Sequence, residues 1–432
     1  MDGRFQTMNY IFYDTETTGL SAPFDQIVQF AAILTDHDLN EIDRTECRCR
    51  LRPHIVPSQK SMEVTGIGIE TLTDPSLPTA YELARDLADL FARWGPAVFI
   101  GHNSISFDEE FLRQLFYQSL LPSYVTSMSG NSRADTLVMA KAFAAVHPTS
   151  FVVPRNEKGS PVFKLEGLAI ANGFGEFKAH DALADVEATV FLAKMMRSID
   201  PLLFDHLVDM GNRNSASQVT LDSVPFLMPM TLNGESLLTP MAGIIEDPAQ
   251  HARVLSIDLD VPIEVVRSVD FDAYEALAGF KHAGRRIFRK VATNRQPTII
   301  PIDMISGYAV DPGWSDKIDA LRSDGDLLER LNAFLVRTAV TYDKSEYVEE
   351  QLYGGFPGRA DSSLMAEFHR VDWPDRMPIV QAFDDDRFRQ LGQRLIAEHA
   401  PEVLLPEVRS RYELWVNDRR TAVDVPWNTI GE

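Results

Sequence analysis

The sequence predicts an α/β domain built on a mixed sheet, followed by a β-rich segment and then a helical one. Three observations predict it. Apolar runs that read as strands come first, at 9–14 (NYIFYD) and 25–34 (DQIVQFAAIL). Segments with helical periodicity then flank a further short strand. Beyond residue 218, short strand-like runs are punctuated by Pro, Gly and Asn, before long helical patterns return.

In order, ECRCRLR at 46–52 alternates as a third, half-exposed strand, and TAYELARDLADLFARW at 79–94 carries a helical stripe. AVFIGHN at 97–103 is a short apolar strand. EEFLRQLFYQSL (109–120), ADTLVMAKAFAAV (134–146), KLEGLAIANG (164–173) and DALADVEATVFLAKMM (181–196) read as helices. Ser106 followed by Glu109 has the spacing of a capping box, which predicts Ser106 as the cap of the 109–120 helix. The polar stretch NRNSASQ (212–218) breaks the pattern. VPFLMPMTLNG (224–234), ARVLSIDL (252–259), RRIFRKVA (285–292) and TIIPIDMI (298–305) are strand-like, and helical patterns at 326–340, 386–400 and 408–420 follow. The division this suggests is 1–200, 201–343 and 344–432.

No run approaches the roughly 18 apolar residues of a membrane helix, and nothing in the N-terminal stretch marks it for export. The two cysteines, Cys47 and Cys49, are too close for a good intrachain disulfide and read as reduced thiols of a cytoplasmic protein. The formal net charge is −22. A general electrostatic binder of nucleic acid is expected to be basic. If this chain binds nucleic acid, its basic residues must therefore be gathered locally.

The candidate chemistry lies at three places. Asp14 and Glu16, in DTETTGL, fall at the end of the first strand. Residues two apart on a strand face the same way, about 7 Å apart, so these carboxylates can share a hard divalent ion. Gly19 then allows a tight turn. Asp108, in GHNSISFDEEF, falls in the first turn of a helix after the 97–103 strand. His180 and Asp185, in AHDALADVEATVFL, fall on a loop and inside the helix that Asp181 begins. Each has an ordinary structural reading when taken alone.

Together, and in this order, D-x-E, H-N-x-x-x-F-D and H-D-A-x-x-D resemble the motifs of the DEDDh 3′→5′ exonuclease superfamily. That resemblance implies a ribonuclease-H-like core. It makes Asp14, Glu16, Asp108 and Asp185 the metal-holding acids and His180 the general base, five residues before the last acid. The resemblance runs on through NSRADTLVMAKAFAAVHP, PLLFDHLVDMGNR, TNRQPTIIPIDMI and, more weakly, EEQLYGGFPGRAD. It therefore points to a branch with further domains: an SH3-like β-barrel, a helical C-terminal domain and a clamp around single-stranded DNA. Thr15 and Thr18 stand where relatives can carry aromatic residues, and His102 where some carry tyrosine.

The implied reaction is hydrolysis of single-stranded DNA to 5′-mononucleotides with two Mg²⁺ ions, Mn²⁺ being able to substitute, in DNA repair or recombination. The implied partners are single-stranded DNA and the acidic, apolar-tipped tail of a single-stranded-DNA-binding protein, with the enzyme acting as a monomer and away from membranes. Thr15, Phe107 and Arg133 are candidate substrate contacts. So are Arg286, Phe288 and Lys290, within the base-rich, acid-free stretch 281–295. On a strand, Arg285, Ile287 and Arg289 would share one face, and Arg286, Phe288 and Lys290 the other. The alternatives are an RNA exonuclease of the same superfamily and a non-catalytic nucleic-acid-binding scaffold.

Overall fold

The computed structural model describes residues 8–177, 180–222, 224–232 and 235–431. The start of the N-terminal stretch, the last two residues of the 224–234 run and two residues just before His180 lie outside that description. The chain divides into two compact units, each assembled from stretches far apart in sequence.

One unit comprises Thr7–Asn131, Phe177–Glu187 and Asp343–Glu432. Four strands give it a mixed sheet: β1 (Asn9–Thr17), β2 (Ile27–Thr35), β3 (Glu41–Arg48) and β4 (Ala97–Gly101). Their order is β3-β2-β1-β4. β1 runs antiparallel to β2 and parallel to β4. All nine residues of β2 are buried, so its whole length needs a partner strand. That requirement places β3 earlier than its alternation predicts. It pairs Glu41 through Arg48 with β2, the Cys49 N–H still donates to Val28 at 3.1 Å, and the 50–52 part of the expected strand leaves the sheet. There Arg50 and Leu51 donate their N–H groups to Pro78 and Leu72 instead.

Helix α1 (Ala80–Trp94) opens on a capping box between Thr79 and Glu82. Its apolar face covers the sheet through Leu83, Leu87 and Phe91. Phe91 lies 4.9 Å from the ring of Phe99, 5.8 Å from Phe30 and 6.1 Å from Phe116. A second core joins Tyr81 and Tyr117 to Val348, Phe368, Phe388 and Leu395, so the helical stretch after residue 343 packs into this unit.

Helix α2 (Asp108–Gln118) corrects the capping expectation. It starts directly after Phe107, with no side-chain cap, while Ser106 ends a preceding 3₁₀ turn. The reason is that Glu109 is engaged elsewhere. Its carboxylate accepts the Thr126 hydroxyl at 2.7 and 2.8 Å and pairs with Arg113 at 2.9 Å. It therefore cannot reach back to the cap.

The other unit includes Ser132–Glu176 and Ala188–Tyr342. Its sheet is antiparallel, built from β5 (Phe226–Leu232), β6 (Glu235–Glu246), β7 (Arg253–Asp258), β8 (Phe288–Ala292) and β9 (Ile300–Pro301) in the order β8-β7-β6-β5-β9. Among the described residues no ladder joins β8 to β9, so the sheet is open. NRNSASQ is not a break: it lies in a helix, Arg213–Leu221. Asn212 caps that helix by accepting the N–H groups of Asn214 and Ser215.

Truncating the aromatic hub between sheet and helix should be costly. Phe91→Ala is expected to lower stability by about 3–5 kcal/mol, the usual range for a buried Phe. Urea unfolding of the variant against the parent checks this.

Candidate active site

The site forms where β1 outruns its parallel neighbour. The β1–β4 ladder runs up to Phe12 opposite Ile100, and Asp14 and Glu16 lie beyond it. Ligand sites in sheets of this kind form where neighbouring strands diverge. β4 ends at Gly101, where a Cβ would meet the Ser104 side chain at 2.5 Å and the Tyr13 carbonyl at 3.0 Å. The absence of a side chain there lets the chain turn tightly from β4 into the segment that delivers Asp108.

Asp108 is buried, and its Oδ1 accepts both the Thr15 N–H at 3.0 Å and the Thr15 hydroxyl at 2.6 Å. Thr15 is thereby corrected as a candidate substrate contact. It is itself buried, and both its donors hold a carboxylate. The D-x-E spacing gives no sign of this, because the middle residue points away from the pair that defines the motif.

Asp185 lies in the first turn of α3 (Ala182–Ile199), which begins directly after Asp181. His180 precedes it, exposed, in the left-handed region at φ 63°. That conformation is uncommon for a residue with a side chain, and it is held by the His180 N–H, which donates to Asp185 Oδ2 at 3.0 Å. Glu16, His180 and Asp185 each offer a ligand atom within 4.8 Å of the others.

The electrostatics join the remaining acids to this cluster. Burial first, then the charges of Asp108, Asp185 and Glu16, hold the Asp14 carboxyl well above the usual range. Glu16 is pushed up to about 8 by burial, then by Asp185, Asp108 and Asp181. Each of these causes disfavours ionisation. An all-oxygen set of crowded carboxylates fits a hard divalent cation, whose charge reverses that penalty.

The other candidates have surroundings of their own. Phe107 is half-buried and packs on Phe111 at 4.9 Å. Arg133 belongs to the other unit, where its Nη2 donates to the Asn294 carbonyl at 3.2 Å. In the basic stretch, Phe288 is corrected: it is 1 % exposed, inside the core with Phe271 and Phe280, and offers no face for base stacking. Lys290 is also committed, pairing at 2.7 Å with the fully buried Asp247. Arg285 pairs with Asp258 and Asp260 at 2.9 and 2.8 Å. Arg286 stays exposed. The expected alternation of faces fails because Ile287, in a bend after the short strand Arg285–Arg286, and Phe288, the first residue of β8, are both buried.

Comparison with known proteins accords with this geometry. Residues 11–193 match the family described as "Exonuclease", and residues 346–429 match "Exonuclease I C-terminal domain". The exodeoxyribonuclease I of Buchnera aphidicola subsp. Schizaphis graminum is 35% identical over 95% of this chain and 86% of its own length. That of Escherichia coli K12 is 28% identical over 97% and 90%. The crystal structure of E. coli exonuclease I in complex with a dA16 oligonucleotide superposes with a TM-score of 0.84 at 25% identity, covering 96% of this chain and 92% of that one. The exonuclease I of Methylocaldum szegediense gives a TM-score of 0.84 at 25% identity, covering 98% and 92%. The fold and the carboxylate cluster define a ribonuclease-H-like exonuclease. Within that class, the chain belongs to the exodeoxyribonuclease I family.

Two predictions follow from the charges. A raised carboxyl pKa in the folded state means that the unfolded chain ionises first as pH rises. Metal-free protein should therefore lose stability between about pH 4.5 and about pH 8, as Glu16 and its neighbours are forced to charge. Glu16→Gln should remove part of that loss, raising the metal-free melting midpoint at pH 8 but not at pH 4, by about 2–4 °C per kcal/mol. Mg²⁺ should stabilise the parent more at pH 8 than at pH 5, as scanning calorimetry would register. Separately, Lys290→Met should destabilise by about 3–5 kcal/mol, because Asp247 would be left as a buried, unpaired charge. Chemical denaturation measures it.

Proposed function

We propose that this chain hydrolyses single-stranded DNA from the 3′ end, releasing 5′-mononucleotides, in DNA repair or recombination. The observation that carries the reading is the convergence of Asp14, Glu16, Asp108, His180 and Asp185, drawn from three separate motifs, at one end of β1 in a chain of this family. The E. coli relative solved with a dA16 oligonucleotide supports the choice of single-stranded DNA over RNA. Burial and neighbouring acids hold the carboxyls of Asp14 and Glu16 above the usual range, which argues against a non-catalytic scaffold.

Asp14, Glu16, Asp108 and Asp185 are the residues that would hold two Mg²⁺ ions, with Mn²⁺ as a substitute. When bound, such ions supply positive charge and Lewis acidity at the scissile phosphate. The protein's own share is positional. Thr15 fixes the Asp108 carboxylate with two donors, and Asp185 fixes the His180 backbone. The exposed imidazole of His180 takes the proton from the attacking water. Histidine is the side chain most often found in the role of general base.

The three-part division 1–200, 201–343 and 344–432 is supported by the two family matches, at 11–193 and 346–429. The antiparallel sheet of the middle part would belong to an SH3-like barrel, with Arg286 its best-placed base for the strand. The proposal extends to a monomer working in the cytoplasm. It also extends to a single-stranded-DNA-binding protein docking through its acidic tail.

Asp14→Ala and Asp185→Ala should abolish hydrolysis while leaving oligonucleotide binding largely intact. His180→Ala should slow turnover by about 10²–10⁴-fold. End-labelled single- and double-stranded DNA and RNA, each with Mg²⁺ or EDTA, test the reading. Turnover by Asp14→Ala, or faster digestion of RNA than of DNA, overturns it.

A further inference from the structure

The loop between β1 and β2 begins two residues after Glu16, and it is fastened by residues near 428. Glu16 pairs with Gln29, but Thr17 pairs with Ile27, so the ladder slips at the carboxylate itself. Beyond the slip, the loop wraps around Asp25. The Asp25 carboxylate accepts the Thr18 hydroxyl at 2.8 Å on Oδ1 and the Ser21 N–H at 2.9 Å on Oδ2. Gly19 passes so close that a Cβ would lie 2.4 Å from Oδ2. Asp25 is buried, and burial raises its carboxyl pKa. Each donor it holds therefore matters. A further one comes from Asn428, whose Nδ2 donates to Oδ1 at 3.2 Å. Beside it, Phe24 is 4 % exposed and packs on Trp427 at 5.3 Å. Trp427 is anchored in turn, its indole N–H donating to the Arg419 carbonyl at 2.8 Å while the Arg419 guanidinium covers its ring at 3.9 Å.

We propose that Asn428 and Trp427 are positioning residues for the hydrolytic site, holding the 17–25 loop and through it the carboxylate of Glu16. The proposal rests on the assignment of Glu16 as a metal-holding acid. Nothing in the motif strings points to these two residues, which lie some four hundred positions from the strand they brace. Outer partners of this kind orient metal-holding groups, and a site with its ladder broken at the ligand depends on them.

The test uses the full-length protein carrying Asn428→Ala or Trp427→Ala. Mn²⁺ binding, followed by electron paramagnetic resonance, and kcat on a single-stranded oligonucleotide should each fall about 10- to 100-fold, with KM changed less than about twofold. Hydrogen exchange of the metal-free variants should speed up at 18–25 while the β1 and β2 amides keep their protection. Asn428→Asp should fall further than Asn428→Ala, because it sets a second carboxylate against Asp25. The swap Asp25→Asn with Asn428→Asp should recover activity and Mn²⁺ binding. If Trp427→Ala fails to fold, Asn428→Ala, which removes one hydrogen bond, carries the test. Wild-type Mn²⁺ affinity and exchange rates in Asn428→Ala would overturn the proposal. So would a loss confined to KM. Glu16→Ala run in parallel separates the two readings. If it is inactive while Asn428→Ala behaves as the parent, only the positioning role falls; if it turns over normally, the assignment of Glu16 itself falls.

Discussion

Mutual repulsion among the acids at the end of β1 is the constraint on which the rest of this structure depends. Asp14, Glu16, Asp108 and Asp185 raise one another's cost of ionisation in a place where burial already disfavours charge. A fold that keeps them there must hold each by groups that do not give way. Thr15 donates twice to Asp108, the His180 N–H binds Asp185, and the aromatic hub around Phe91 keeps the sheet beneath them rigid. The stability of the core is in effect set against the instability of the site. This is the usual relation between a preorganised centre and its scaffold.

Charge is handled in the same local manner elsewhere. With a formal net charge of −22, the chain cannot attract a polyanion as a whole. Nor does the base-rich stretch at 281–295 present a simple positive face. Lys290 neutralises the buried Asp247, Arg285 serves Asp258 and Asp260, and Phe288 is core. Counting bases along a sequence overstates how many are offered to a ligand, because a buried acid claims its partner before any ligand arrives.

Much of the fold was legible, and for identifiable reasons. β1, β2, β4 and the helix at 80–94 are strongly patterned and carry their own start signals, so they lie close to where periodicity puts them. β3 was misplaced because its boundary is dictated by the needs of β2, which no local pattern encodes. The polar stretch NRNSASQ reads as a break because the helix Arg213–Leu221 buries only Ala216 and Thr220. The capping box at Ser106 failed because Thr126 and Arg113, distant or unremarked in sequence, take up Glu109. The five candidate residues could be read from motif spacing. Their supports, Thr15, Gly101 and the Asp25 loop, could not, since each is defined by what it touches.

The unit that carries the site draws its last part from Asp343–Glu432, after the whole of the other unit has been encoded. During synthesis, Asp14 through Asp185 leave the ribosome long before Val348, Phe388 and Leu395 arrive to complete the core around Tyr117. At about 5–20 residues per second, that interval is on the order of tens of seconds. Throughout it, the nascent chain carries all its acids before that core is complete. Chain order thus makes the unit that carries the site wait, for part of its core, on residues encoded after the whole of the other unit.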